Sequence, residues 1–402
     1  MHAGFSFDSP IFMKLLQRYL LGTFHKAAHW VFDRGRSSFS FAGTSFLNAM
    51  DAKRIFSSDL IYEGHDSYIT IPSLTVNLNV FFENSANDSL QNNFIQKRSI
   101  HIQKPFTLKL KRHGRDRFFE SEGTLLILGC DQKLLLAPEF SAPVNLRTPF
   151  KPFSKNSTSH VSIFSSLRSF TYGDFGLLML PKWCRLKTHC EQLKTTRAAV
   201  CTPDVPFMRE WAKHLNLETL SFGSNTKKLN EIKDEVTIIY GPGLQEDFIC
   251  TPSDLSLLRK SVLPFLGTKD PQKIYISRNA RRKPSNQAEI ERYLSSKGFV
   301  IIKDHPRGIL DQAEIFSTAS FIVAPHGASL ANLAFSKPGT KVLEFLPGKF
   351  CSQVYRQLSA LNSLNYACLI CGKLEKHKDS AVDYDYEVDI QLLNQALSIL
   401  LK

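Results

Sequence analysis

The stretch Phe321-Ile-Val-Ala-Pro325-His326-Gly327-Ala328-Ser329-Leu-Ala-Asn332 decides the fold of this chain. Phe321 to Ala324 is an apolar run with β-branched residues at its centre, which reads as a buried strand. Pro325-His326-Gly327 breaks it in a turn, and small residues open a helix from Ala328. Buried strand, tight turn and helix together are one unit of a mostly parallel sheet covered on both faces. In such sheets ligands bind beyond the carboxyl ends of the strands, so His326 stands at a candidate site.

The same alternation extends outward. Upstream it predicts helices at 253–263, 286–297 and 310–319, with strands at 273–277 and 299–303; downstream it predicts a strand at 341–345. Further back, a helix at 204–217 and a strand at 236–240 lead into Gly241-Pro242-Gly243, read as a hinge between two lobes. Residues 55–150 differ in texture: short apolar runs at 67–71, 74–82, 99–102 and 124–128 read as strands, and 147–160 as a polar loop. Ser9-Pro10 starts a helix whose apolar positions recur to residue 32, with Lys14, Arg18, His25 and Lys26 between them. That basic amphipathic segment either docks on the protein or makes peripheral contact with an anionic membrane surface. The expected class is therefore α/β, in three parts: an N-terminal helical segment at 1–54, a β-rich N-terminal lobe at 55–243, and a C-terminal Rossmann-like lobe at 244–402.

The chain has 402 residues, 43% hydrophobic and 22% charged, the profile of a folded chain long enough for two or three domains. No apolar run reaches the roughly 18–20 residues that span a bilayer. The formal charge of +13 raises nucleic acid as a partner, but no nucleic-acid module is recognisable, and none is expected to bind. Eight cysteines are scattered, and Cys368-Leu-Ile-Cys371 is the one CxxC spacing. Its apolar filling reads as a buried strand with an inert pair. Reduced thiols and no recognisable export signal point to a cytoplasmic protein, at most peripheral at the inner membrane face.

Three strand tips carry unusual polar residues. Ile274-Tyr-Ile-Ser277-Arg278 ends an apolar strand in a guanidinium, which suits the paired oxygens of a diphosphate. At the second tip, the backbone amides of Gly327, Ala328 and Ser329 open a helix, and His326 is a donor or a base. At the third, Glu344 ends the strand after Pro338-Gly-Thr, where a buried carboxylate needs partners such as the hydroxyls of a ribose.

Tyr275-Ile-Ser277-Arg278, the helix opening at Asn286, Asp311-Gln312, Ala324-Pro-His-Gly-Ala-Ser-Leu-Ala-Asn332 and Pro338-Gly-Thr…Glu344 occur in the order and spacing of glycosyltransferase family 61, which the chain resembles. The resemblance implies an inverting transferase of GT-B architecture, with two Rossmann-like lobes, acceptor side at 55–243 and donor side at 244–402. It implies a nucleotide-sugar donor, a UDP-sugar being the expected one, and a glycan acceptor in surface or capsular polysaccharide biosynthesis. It implies no cofactor and no bound metal. Ser277, Arg278, Gly327, Ala328, Ser329, Asn332 and Glu344 are then the donor-binding residues. The one Asp-x-Asp, Asp383-Tyr-Asp385, lies far past these motifs and reads as a solvated turn.

The N-terminal lobe departs from the family pattern. Aligned on Leu180-Pro181, Asp174 stands where the family has His, Leu178 where it has a carboxylate, and Lys182 where it has Arg. Asn286-Gln287 replaces an Asn-Glu pair. Asp174 and His326 are both candidates for the catalytic base, and the sequence leaves both open. A non-catalytic relative that binds nucleotide or glycan without a base is the alternative, with Leu178 as its argument.

Overall fold

The computed structural model describes residues 67–72, 97–102, 171–192, 205–221 and 250–401, less gaps at 268, 280, 348–351, 372–373 and 376–384, together with the backbone of further strands between residues 39 and 240. The N-terminal helix expected over 9–32, the 74–82 strand, the hinge at 241–243 and Asp383 lie outside the described residues. Among the described residues no helix is long and apolar enough to cross a membrane.

Two sheets carry the fold. Strands of the first half are β1 (Ser58–Glu63), β2 (Ser67–Ile71), β3 (Arg98–Ile102), β4 (Phe106–Lys111), β5 (His160–Ser162), β6 (Ala198–Thr202), β7 (Glu218–Ser221) and β8 (Glu235–Tyr240). Six of them form one sheet in the order β7-β6-β5-β8-β4-β1. The expectation of a parallel sheet holds for β5 to β8 and fails for β4 and β1, which pair antiparallel. The reason is visible in β4: Phe-Thr-Leu-Lys-Leu-Lys alternates apolar with polar, the signature of a strand with one solvated face.

The second sheet is wholly parallel. Its strands are β9 (Gln272–Ile276), β10 (Val300–Ile302), β11 (Ala319–Pro325), β12 (Lys341–Pro347) and β13 (Asn365–Cys371), in the order β10-β9-β11-β12-β13. The chain runs one way from β9 to β10 and the other way from β11 onward. The crevice between the tips of β9 and β11 is therefore a topological switch point, where ligands of such sheets bind.

Period-two alternation sorts this sheet's residues between two cores. Ile274, Ile276, Ile322, Ala324 and Val342 face one cluster, and Tyr275, Phe321, Val323, Leu343 and Phe345 the other. The second cluster is closed by helices α4 (Gln287–Ser296) and α7 (Ile390–Leu400), placed on the same face. The first reaches into the other half of the chain. Helices α1 (Leu180–Gln192), α2 (Pro206–His214) and α3 (Pro252–Val262) bury Trp183, Trp211 and Leu258 with Phe335, and the Trp211 and Phe335 rings stack at 6.1 Å. Arg185 of α1 and Asp254 of α3 form a fork-like ion pair inside it, their side chains 1% and 2% exposed. α5 (Ile309–Thr318) starts at Gly308 without a cap of its own, and Glu210 of α2 accepts from the Ile309 amide at 2.9 Å instead. The β2–β3 hairpin also packs across: Ile69, Ile71, Ile100 and Ile102 lie on Ala360 and Leu361 of α6 (Val354–Leu361), and Arg356 donates to the Pro72 carbonyl at 2.6 Å. Cys368 and Cys371 are buried on β13, neither in a disulfide.

Two local expectations change. The segment after Gly327 is a 3-10 helix, Ala328–Phe335. And 172–192, where no element is expected from the sequence, is a helical run: an α-turn at Tyr172–Asp174 capped by Thr171, a π-turn at Phe175–Met179, then α1. Leu178 sits in the π-turn, 5% exposed in the hydrophobic core, so that position presents no polar group. Lys182 is likewise buried.

Candidate active site

The tips of β9, β11 and β12 meet the Tyr172–Asp174 turn. Gly173 lies so close to the 3-10 helix that a β-carbon there would stand 3.3 Å from the Ala328 Cα and 3.4 Å from the Tyr355 hydroxyl. One turn on, a β-carbon on Gly176 would stand 3.2 Å from that of Ala331. The two segments thus touch along a seam of small residues. Tyr172 fixes it by donating to Asn332 Oδ1 at 2.7 Å, and Asn332 donates to Gln312 at 3.1 Å. Asn332, expected to hold donor, is 2% exposed with both ends of its amide engaged, and serves the seam instead.

Arg278 crosses from the β9 tip to the β11 tip. Its guanidinium lies against Gly327, where any β-carbon would collide with Nη1 and stand 2.8 Å from Cζ. Gly327 is extended (φ 175°), so the glycine is needed for this approach and not for its backbone angle. Arg278 Nε donates to the Arg281 carbonyl at 2.5 Å, and its amide donates to Gln287 Oε1 at 3.1 Å. Gln287 Nε2 in turn donates to Ser277 Oγ at 3.1 Å, and Ser277 donates to Glu291 at 2.9 Å. Ser277, the other expected donor contact on β9, is therefore a buried brace for the Arg278 backbone. The Gln in place of the family's Glu supplies the amide donor that this brace uses. Burial lowers the pKa of the Arg278 guanidinium from its ordinary value.

His326 extends β11 by one residue, its amide donating to the Phe345 carbonyl at 2.9 Å. Its ring Nδ1 lies 2.5 Å from Glu344 Oε1, and Tyr366 of β13 donates to Glu344 Oε2 at 2.6 Å. The register explains the meeting: Glu344 sits opposite Ala324 and Cys368, so His326, Glu344 and Tyr366 project from one face of three adjacent strands. Glu344 is 0% exposed with an oxygen committed to each neighbour. The ribose contact expected of it gives way to another task, holding the His326 ring. A buried carboxylate persists where its lone pairs are matched by donors, and here they are.

Residues that the sequence did not single out complete the site. Tyr355, in the first turn of α6, is 4% exposed with its ring 5.1 Å from that of His326. The charges of Glu344, Arg282, Asp174 and Arg278 all act on its hydroxyl, and burial with the Glu344 carboxylate pushes the phenol up, so it is neutral at physiological pH. Arg282 has φ 61°, a left-handed backbone that costs an arginine of order 1–3 kcal/mol. Such outliers concentrate where a side chain must be aimed. Asp174 stands half-buried at the seam beside Gly173, while Ala328 and Ser329 are half-buried at the opposite lip. The structure thus gathers Asp174, Arg278, Arg282, His326, Gly327, Ala328, Glu344 and Tyr355 around one crevice, with Ser277 and Asn332 engaged in hydrogen bonds to protein groups. Among the described residues no group of His, Cys, Asp or Glu is arranged to hold a metal ion.

The Glycosyltransferase 61 profile matches residues 29–343. The chain belongs to this family. The matched span ends one residue before Glu344, so the parts played by Glu344, Tyr355 and Tyr366 rest on their geometry. A comparison with curated protein sequences gives no match. Among solved structures, the iron-containing dodecameric glycosyltransferase TibC from enterotoxigenic E. coli H10407 is a loose likeness: 10% identity, TM-score 0.31, 69% of this chain and 85% of that one. A TibC structure titled as a heptosyltransferase in complex with ADP-D-beta-D-heptose compares at 10% identity and TM-score 0.29, covering 68% and 81%. As a family 61 glycosyltransferase the protein has its polar crevice at the sheet position where this fold class binds ligands.

Proposed function

We propose that the protein transfers a sugar from a nucleotide-sugar, a UDP-sugar, to a glycan acceptor with inversion and without a metal, in polysaccharide biosynthesis. The observation that carries this reading is the His326–Glu344 pair at the β11 tip, beside the Arg278 guanidinium, in a chain of the glycosyltransferase 61 family. An inverting transfer needs a base for the acceptor hydroxyl and positive charge for the departing diphosphate. Glu344 accepting from Nδ1–H selects the tautomer whose lone pair is on Nε2, and Nε2 takes the acceptor proton as the hydroxyl attacks the anomeric carbon. The bond from that carbon to the diphosphate breaks with its electron pair on the leaving oxygen. Arg278, with Arg282 and the amides of Gly327, Ala328 and Ser329, stabilises the charge that develops there. This arrangement favours His326 as the base. Asp174, on the facing segment, is then left to orient the acceptor.

The test is release of nucleoside diphosphate from UDP-, GDP- and ADP-sugars in the presence of EDTA. Turnover with a UDP-sugar that persists in EDTA is the expected result. Turnover abolished by EDTA and restored by Mn²⁺ overturns the metal-free mechanism. A folded protein that binds nucleoside diphosphate and turns over none of the donors favours the non-catalytic alternative, which the apolar Leu178 supports.

A further inference from the structure

We propose that the Tyr355 hydroxyl is a ligand group of the site, donating a hydrogen bond to the terminal phosphate of a bound nucleoside diphosphate. The inference rests on the donor site proposed above and adds a residue to it. Two observations converge. Tyr355 is 4% exposed, so little freedom is left to its ring. The hydroxyl also has a defined direction: it reaches the point where Gly173 passes Ala328, 3.4 Å from where a β-carbon on Gly173 would be. That point lies at the opening of the 3-10 helix, next to the Arg278 guanidinium packed on Gly327.

The chemistry of the surroundings selects the ligand. Two guanidiniums, Arg278 and Arg282, act on the hydroxyl, and Arg282 holds a left-handed backbone while doing so. Cations beside a neutral O–H donor suit a phosphate, whose oxygens accept from all three. A sugar hydroxyl draws little from paired guanidiniums, and a cation is repelled by them. The Tyr355 ring packs tilted against that of His326, so the hydroxyl and the proposed base are fixed relative to each other by one packed contact. A phosphate accepting from Tyr355 is thereby registered against the imidazole that receives the acceptor proton.

The experiment is calorimetric titration of the full chain and of Tyr355→Phe with UDP and with UMP, alongside thermal melts of both. Tyr355→Phe is expected to weaken UDP binding roughly tenfold to a hundredfold, the usual effect of losing a hydrogen bond to a charged group, and to leave UMP affinity within about twofold. Its melting temperature should stay within a few degrees of the parent. Equal UDP affinity in parent and variant overturns the inference while leaving the donor site standing. A melting temperature several degrees lower, with equal losses for UDP and UMP, shows a structural hydroxyl and also overturns it. A parent that binds neither UDP, GDP nor ADP overturns the donor-site reading itself, and the inference with it.

Discussion

Gly327→Ala tests whether the crossing of Arg278 onto the β11 turn is the donor clamp. The new methyl meets the guanidinium, with Cζ at 2.8 Å where ordinary carbon contacts lie at about 3.5–4.0 Å. Since the backbone of Gly327 is extended, alanine adopts it without strain, and the collision is with the far end of a flexible side chain. Arg278 therefore swings away, giving up its Nε bond to the Arg281 carbonyl, while the fold keeps its core. The expected result is a melting temperature within a few degrees of the parent and a loss of one charge-assisted phosphate contact. That loss is about 1.5–3 kcal/mol, or roughly 10- to 150-fold in UDP affinity. Arg278→Ala should weaken UDP by a similar factor. In an Arg278→Ala background the Gly327→Ala change should be nearly silent, because the group it displaces is gone; the coupling energy of the cycle then approaches the single-variant loss. Calorimetry on the four proteins measures it. Additive losses across the cycle, or a folded Gly327→Ala protein with unaltered UDP affinity, would refute the reasoning.

Glu344→Gln gives one acceptor and one donor where His326 and Tyr366 require two acceptors; turnover should fall roughly 10²–10⁴-fold with donor affinity little changed. A weaker UDP affinity with turnover intact at saturation would return Glu344 to the ribose. Arg185→Met leaves Asp254 buried without its fork partner and should cost about 3–5 kcal/mol in urea denaturation, whereas pairing it with Asp254→Leu should recover most of the loss. A single variant as stable as the parent would show that the pair contributes nothing. His189 is buried beside Arg185, and burial, then that charge, bring its pKa from 6.5 down to about 4. The unfolded chain then binds the proton first, so its contribution to stability is present above pH 6.5 and is lost as pH falls toward 4. His189→Gln should flatten the stability profile across that window, and an unchanged acid limb would remove His189 from it.

Local pattern alone determined most of the C-terminal parallel sheet. The strands at 272–276, 300–302, 319–325 and 341–347 and the helices at 287–296 and 309–318 appear at the expected places because strand and helix periodicities are written in neighbouring residues. The same reading placed Arg278 and His326 at adjacent strand tips, since a parallel sheet puts every carboxyl end on one side. It did not foresee that the segment from Tyr172 is helical. Gly173 and Gly176 are the positions where that segment passes so near Ala328 and Ala331 that a β-carbon would be tight, a closeness that exists only across the seam. It assigned Glu344 to a ligand because an acidic residue in an apolar strand demands a partner. Which partner answers depends on the register of β11, β12 and β13, and register between strands is fixed by packing. Tyr355 carried no signal at all, being one aromatic residue on an amphipathic helix. Only the tertiary structure brings its hydroxyl to Gly173, Arg278 and Ala328, because those contacts join residues separated by tens to nearly two hundred positions, a distance over which sequence spacing holds no geometric information.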